Sequence, residues 1–205
     1  MTVLTEPALD TAATGYSANG DAARRAMIDS QLRPSGVNDP AVLAAFNRVR
    51  REDFVPASAR SVAYMDRSVP LGSGKVLAPP LSHGLMLIEA APTSVDRALL
   101  VDGGSGYLAA LLGPLVGSLE TIVPGASPTG QGYTLLLIDG AIERLPSNLS
   151  DALATDARVV TGLIERGVAR LATGRKAASG VSFLTLGEAD FAPLAEYALP
   201  SKWSF

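Results

Sequence analysis

The stretch LLVDGGSGYLAALL, residues 99–112, decides the fold of this chain. An apolar run at residues 98–101 leads into Gly103, Gly104 and Gly106, and a helix-forming run follows. A continuously apolar strand is typical of a parallel sheet that is covered on both faces. Glycines permit a tight strand-to-helix turn, and they also let a ligand approach the main chain. From spacing alone, a structural turn and a cofactor site are equally good interpretations.

The segments around this turn predict one α/β domain. Further buried strands are expected in SLETIV, YTLLLID and three late runs after residue 156 that short turns connect. Before the turn, helices are expected at about 21–32, at 39–49 with Asp39 as N-cap, and at about 81–91. Residues 57–80 are expected to be irregular. This order predicts a doubly wound, mostly parallel sheet with antiparallel C-terminal strands and an N-terminal helical segment.

Composition excludes several classes of protein. Hydrophobic residues make up 47% of the 205 residues, which is enough for a buried core. The net charge of −3 argues against nucleic acid or an anionic membrane as the main partner. Without cysteine, disulfides and thiolate chemistry are excluded. Because no signal peptide and no apolar run of about 20 residues is seen, we expect a cytoplasmic protein.

Three carboxylates follow or end the predicted strands. Asp102 lies inside the glycine turn. Glu120 lies in the next strand, where a carboxylate at the strand end would accept both hydroxyls of a ribose; a solvated strand-end acid is the alternative. Asp139 ends YTLLLID at the edge where ligands of open α/β sheets bind, and a helix cap is equally compatible.

Several stretches together resemble the protein-L-isoaspartate O-methyltransferases. The opening MIDSQLRPSGVNDPAVLAAFNRVRREDFVP at 27–56 resembles the N-terminal signature of that family, and AYMD at 63–66 resembles its AY-x-D motif. GKVLAPPLSHGLM at 74–86 is similar in layout to its GQTISQP segment. Residues 99–112 resemble its cofactor motif, and the chain from YTLLLIDGAIERLP onward resembles its last strands.

The resemblance implies a Rossmann-like class I methyltransferase. Such an enzyme would bind S-adenosylmethionine and esterify the free carboxylate of L-isoaspartyl residues in damaged proteins or peptides. The cofactor would be held by Asp102, Gly103, Gly104, Ser105 and Gly106, together with Glu120 and Asp139. The predicted organisation is a flexible tail at 1–20 and a single domain at 21–205, divided into a helical part, 21–95, and a Rossmann-like core, 96–205.

The chain also departs from the family pattern. The family serine on the substrate side falls on Ala78, which has no side-chain hydrogen bond to offer. In the cofactor motif, the usual acidic residue falls on Leu100 and the first glycine on Asp102. Between Glu120 and YTLLLID the family has a helix and a strand, for which TIVPGASPTGQG is too short. Either this unit is deleted or residues are absent from the sequence.

These departures leave three functional hypotheses open. The chain is an active isoaspartyl methyltransferase, a catalytically impaired relative that serves as a binding or regulatory module, or a methyltransferase with another carboxylate or small-molecule substrate. Ser82 and His83 are weak candidates for a catalytic role beside Ala78. Ser82 is more typical of a first helical turn, and a lone histidine is more typical of packing. One histidine and no cysteine predict no metal site, and no pattern indicates an oligomeric state.

Overall fold

The computed structural model describes residues 20–200 and has a six-stranded sheet at its centre. The strands are β3 (Arg97–Val101), β4 (Ser118–Ile122), β5 (Tyr133–Ile142), β6 (Leu153–Glu165), β7 (Val168–Ala177) and β8 (Gly180–Glu188). Their order is β4-β3-β5-β6-β7-β8; the first four strands are parallel, and β7 and β8 continue the sheet antiparallel. The predicted doubly wound, mostly parallel sheet with antiparallel C-terminal strands is confirmed.

Helices precede and follow the first sheet strand. They are α1 (residues 20–27, continued by a π-turn at Ile28–Leu32 and a 3-10 turn at Arg33–Ser35), α2 (Pro40–Arg48), α3 (Pro80–Ala90), α4 (Tyr107–Leu112) and α5 (Ser147–Asp151). Asp39 is the N-cap of α2 as predicted, because its carboxylate accepts from the backbone N–H groups of Ala41 and Val42. The predicted tail falls almost wholly on residues 1–19, outside the described residues, whereas Gly20 is already helical.

A β-hairpin corrects the expectation that residues 57–80 are irregular. Residues Ala57–Val62 form a 3-10 helix, and β1 (Val69–Gly72) pairs antiparallel with β2 (Lys75–Leu77). Ser73 and Gly74 connect the strands with φ angles of 52° and 76°. Positive φ at both central residues defines the tight turn that matches the twist of a hairpin. The Ser-Gly pair was therefore the signal for this hairpin.

The connection from β4 to β5 contains no helix and no further strand. Segment 123–132 runs back along the sheet, where Thr129 donates to Glu120 and the backbone N–H of Gly132 donates to the carbonyl of Ala152. The residues on either side of it, Ile122 and Tyr133, belong to the core on one face of the sheet, which includes Leu99, Leu136 and Val159. The helices α2, α3 and α4 pack on the other face, in the larger core. The short connection that the sequence indicated therefore joins β4 directly to β5.

Candidate functional site

A cleft of about 510 Å³ lies at the carboxyl edge of the sheet. It is flanked by the segments that follow β3 and β5, and these neighbouring parallel strands are the point where the strand order reverses. Ligands of open α/β sheets bind at this switch point. The volume lies within the roughly 300–1,000 Å³ of small-molecule sites. Among the predicted site residues, Ala78, Asp102, Gly103, Gly104 and Asp139 line this cleft.

The glycine turn is held in shape by its own side chains. Both carboxylate oxygens of Asp102 accept from the backbone N–H of Gly106, at 3.0 and 3.2 Å, and Ser105 Oγ accepts from the N–H of Tyr107 at 3.1 Å. Gly104 has a φ of 106°, which side chains rarely tolerate. A Cβ at Gly103 would collide with the backbone carbonyl of Asp139. The turn therefore requires its glycines for packing, and its open side faces the cleft.

A β-bulge directs Asp139 into the cleft. In the pairing of β5 with β6, Ile138 faces Thr161 and Ala141 faces Gly162, so Asp139 and Gly140 are extra residues. Bulges occur frequently beside active sites because they redirect a side chain. Asp139 is only 6% exposed and is bonded at 2.8 Å to Nε2 of the buried His83. Since an ionised carboxylate only accepts, His83 donates this bond.

Beneath the turn lies a buried cluster around the ring of Tyr107. The Arg51 guanidinium lies 4.9 Å from the centre of this ring and donates to the carbonyls of Ala63 and Ala78, at 2.7 and 2.5 Å. Burial raises the pKa of the Tyr107 hydroxyl and lowers the pKa of Arg51. Within residues 20–200, Arg51 Nη1, His83 Nδ1 and the Tyr107 hydroxyl have no hydrogen-bond partner. The cluster supports the turn through Tyr107 and fixes Asp139 through His83.

Sequence reasoning missed Lys75, which reaches the cleft from the hairpin. A Cβ at Gly104 would lie 2.6 Å from Lys75 Cδ, so the lysine side chain extends directly over the glycine turn. Among residues 20–200, Lys75 is the only cationic residue that lines the cleft. Ala78 follows on the same hairpin side and contributes no side-chain hydrogen bond. The sequence shows the Ser-Gly turn and the lysine after it, but it does not show that this lysine lies against the glycine turn.

Glu120 lies away from the cleft. It sits at the centre of β4, opposite Leu99, rather than at the strand end. Its carboxylate accepts from the N–H and hydroxyl of Thr129, at 2.7 and 3.0 Å, and from the Tyr133 hydroxyl. The Thr129 backbone bond, followed by the Tyr133 bond, lowers the pKa of Glu120. Because the shortened connection passes beside β4, it supplies these partners, which sequence spacing did not indicate.

The two weak catalytic candidates lie behind the cleft wall. Ser82 and His83 are buried in the first turn of α3, and neither lines the cleft. His83 acts on the cleft only through Asp139.

Within residues 20–200, no group of three or more His, Cys, Asp or Glu residues could hold a metal ion. No helix in the same range is long and apolar enough to cross a membrane.

The sheet order, the glycine turn and the cleft at the switch point define a Rossmann-like protein of the class I methyltransferase type. The family model of the protein-L-isoaspartate(D-aspartate) O-methyltransferases matches residues 22–125, about half of the chain. The chain belongs to this family, and the resemblance found in its motifs is confirmed.

Individual relatives and solved structures agree with this assignment. A protein-L-isoaspartate O-methyltransferase from Roseiflexus castenholzii is 44% identical over 101 residues, which are 48% of this chain and 45% of that protein. One from Gloeobacter violaceus is 32% identical over 162 residues, or 65% of this chain and 79% of that protein. A Plasmodium falciparum structure, solved in complex with S-adenosyl-L-homocysteine, has a TM-score of 0.68 at 16% identity and covers 86% of this chain and 98% of that chain. At that identity the structural likeness concerns the fold.

Proposed function

We propose that this chain is an S-adenosylmethionine-dependent methyltransferase that esterifies the free carboxylate of L-isoaspartyl residues, as a step of protein repair. The observation that carries the proposal is the cleft between the glycine turn and Asp139, in a chain of this family. The cytoplasmic location stays a prediction. A catalytically impaired binding module is not favoured by the family comparisons.

The residues of the cleft fit the cofactor. The turn at Gly103 and Gly104 presents open main chain, and Asp102 and Asp139 present carboxylates. S-adenosylmethionine carries an ammonium group and ribose hydroxyls, which are donors that carboxylates accept. His83 fixes the Asp139 side chain, so its oxygens are already oriented before a ligand binds. Bound there, S-adenosylmethionine supplies an activated methyl group on a sulfonium.

The methyl acceptor needs positioning rather than a base. A carboxylate is already ionised at neutral pH, and holding it in line with the methyl group contributes most of what a site can provide. Lys75 is suited to attract this anion, because Asp102, Asp139 and Glu196 otherwise make the cleft acidic. The missing hydroxyl at Ala78 therefore weakens substrate recognition but removes no group that the reaction requires. His83, held behind the wall, has no direct role as acid or base.

Two measurements on the wild-type protein test the proposal. Titration calorimetry with S-adenosylmethionine and S-adenosylhomocysteine should give saturable binding. Transfer of a labelled methyl group should occur to an isoaspartyl peptide and not to the aspartyl peptide of the same sequence. Binding without transfer to the isoaspartyl peptide would direct the search to other carboxylate substrates. Absence of binding at millimolar cofactor, on protein shown to be folded, would refute the proposal.

A matched pair of variants locates the binding at the glycine turn. Gly104→Ala places a Cβ against Lys75 and strains a positive φ. Gly132→Ala also places alanine at a positive φ, 76° against 106° at Gly104, in the β4–β5 connection, where nothing lies within 4 Å of the new Cβ. Both variants should lose about 1–2 kcal/mol of stability. Only Gly104→Ala should also weaken cofactor binding, and equal affinities in the two variants would place the cofactor elsewhere.

A further inference from the structure

The cleft has a wall that no strand of the sheet supplies. The end of β4 is followed directly by segment 123–132, which leaves along the sheet rather than forming a helix and a strand beside it. Only Val123 and Pro124 of this segment line the cleft. The remaining lining on this side comes from the C-terminal segment, defined here as Phe191–Glu196. Residues far apart in the sequence therefore close the cleft opposite the hairpin.

The C-terminal segment is anchored to the sheet by backbone hydrogen bonds. Ala141 donates to the carbonyl of Ala192 and accepts from the N–H of Leu194, both at 2.8 Å, which forms a parallel bridge to Pro193. Phe191, at its start, is buried with 3% exposed. The buried Tyr197, just after its end, accepts at its hydroxyl from the N–H of Gly125 at 3.0 Å. Both ends of the segment are thus fixed, one to β5 and one to the connection after β4.

Leu194 seats the segment against the bulge that carries Asp139. A Cβ at Gly140 would lie 2.6–2.8 Å from the Leu194 side chain, so glycine at this position allows the close approach. The segment therefore packs at Leu194 against Gly140, next to Asp139, and its end at Glu196 lies beside Gly125, just after β4. A ligand that starts on the glycine turn and continues along the cleft must meet Leu194, Ala195 and Glu196.

Glu196 is the acidic side chain that the structure places above the end of β4. Its Cγ lies 3.4 Å from the position of a Cβ at Gly125, just after β4. The residue is exposed, and within residues 20–200 no hydrogen bond or ion pair engages its carboxylate. By contrast, the carboxylate of Glu120 accepts three hydrogen bonds, two from Thr129 and one from Tyr133. Glu196 lines the cleft and can accept a hydrogen bond from a ligand hydroxyl there, whereas Glu120 does not line the cleft.

We propose that the C-terminal segment forms the nucleoside side of the cofactor site, with Glu196 accepting hydrogen bonds from the ribose hydroxyls. The inference rests on the proposed function and specifies which residues replace the unit absent between β4 and β5. Leu194 and Ala195 contribute the apolar surface for the base, while the glycine turn receives the amino-acid end of the cofactor.

Two probes separate the two ends of the site in titration calorimetry. S-adenosylhomocysteine contacts both ends, whereas 5′-methylthioadenosine has the nucleoside and lacks the amino-acid group. Glu196→Gln should weaken both probes roughly tenfold, since a hydrogen bond to a charged acceptor is lost. Ala195→Trp should remove binding of both by filling the cleft. Gly104→Ala should weaken S-adenosylhomocysteine more than methylthioadenosine.

Two other glutamates serve as controls. Glu188→Gln, at the end of β8, should leave both affinities unchanged. Glu120→Gln should also bind both probes as the wild type does. If Glu196→Gln binds within twofold of wild type, the inference is overturned, and a tenfold loss in Glu120→Gln would assign the ribose to that residue instead. Wild-type protein that binds neither probe would overturn the proposed function and this inference with it. Thermal unfolding of each variant verifies that it is folded.

Discussion

Polar groups at the two edges of the sheet differ in how completely they are hydrogen-bonded. At the amino edge, every oxygen of Asp96 is engaged: it accepts from the N–H and hydroxyl of Thr93, from the Thr134 hydroxyl at 2.7 Å and from Arg158 at 2.6 Å. Glu120, in the middle of β4, is likewise engaged by Thr129 and by Tyr133, the first residue of β5. Charged groups that are satisfied in this way stabilise the fold and have no capacity left for a ligand.

At the carboxyl edge, polar groups are left with spare capacity. Within the described residues, Arg51 Nη1, His83 Nδ1 and the Tyr107 hydroxyl are buried without partners, and no hydrogen bond or ion pair engages Lys75 or Glu196. A buried polar atom without a partner costs free energy. Two further such atoms, Arg24 Nε and Gln31 Oε1, lie in the N-terminal helical segment and not at this edge. The comparison predicts that substitutions at the amino edge lower stability, whereas those at the carboxyl edge lower affinity.

Asp96→Asn should cause the largest loss of stability. The substitution keeps the size of the side chain but removes the charge that three neighbours stabilise. We expect the free energy of unfolding to fall by about 3 kcal/mol at neutral pH, and Tm to fall by roughly 6–12 °C. Urea and thermal unfolding measure this loss. Asp151→Asn, an exposed carboxyl at the end of α5, is the control and should change stability by less than about 0.5 kcal/mol.

The contribution of the Asp96 carboxylate to stability should decrease as the pH falls. Burial acts to raise the pKa of Asp96, but the hydrogen bonds from Thr134, Thr93 and Arg158 outweigh it and leave the pKa below its ordinary value. A depressed pKa contributes stability above the ordinary value, about 3.9, which is lost as pH falls through the folded-state pKa. The stability difference between wild type and Asp96→Asn should therefore narrow below a pH of about 4. A difference that stays constant or widens in acid would contradict this assignment.

Gly103→Ala should be an exception to this rule, because a substitution at the carboxyl edge here lowers both stability and affinity. Its Cβ collides with the backbone carbonyl of Asp139, and a backbone atom cannot rotate away. We expect a loss of about 1–3 kcal/mol of stability together with weaker S-adenosylhomocysteine binding, since the bulge must shift. Gly187→Ala in β8, where nothing lies within 4 Å, is the control and should match wild type. An unchanged affinity in a destabilised Gly103→Ala would remove the turn from the binding site.

A double-mutant cycle on Glu120 and Tyr133 sharpens the amino-edge side of the comparison. Glu120→Gln and Tyr133→Phe should each cost about 1 kcal/mol of stability, because each removes one half of the same hydrogen bond. The double variant should lose less than the sum of the two, which is the sign of a direct interaction. Additive losses in urea unfolding would mean that the two side chains act independently.

Lys75→Met should give the smallest effect, and it should appear in recognition of the substrate carboxylate rather than in stability. Methionine keeps the apolar stem over Gly104 and removes the charge. KM for an isoaspartyl peptide should rise roughly fivefold, the equivalent of an exposed ion pair, with stability unchanged. Lys176→Met, on β7 and away from the cleft, should leave KM unaltered. Equal KM values for the two variants would refute a role for Lys75 in attracting the substrate.

The elements that the sequence predicted correctly are those specified by neighbouring residues. The apolar run before the glycine turn forms β3, Asp39 caps α2, and the late runs form antiparallel strands. The Ser-Gly turn of the hairpin was missed although its signal is also local. Of the candidate site residues in the glycine turn, Asp102, Gly103 and Gly104 line the cleft, because the turn itself sets their positions, whereas Ser105 and Gly106 do not line it.

The sequence by itself determined the α/β sheet, the family, the glycine turn and the shortened connection after β4, because periodicity, turn residues and spacing are properties of adjacent positions. Only the tertiary structure decided which carboxylates face the cleft. Glu120 is turned to Thr129 and Tyr133, while Glu196 is brought above β4 by the bond from Gly125 to Tyr197, 72 residues apart. Such contacts depend on how the shortened connection and the chain end pack together, which no local pattern encodes.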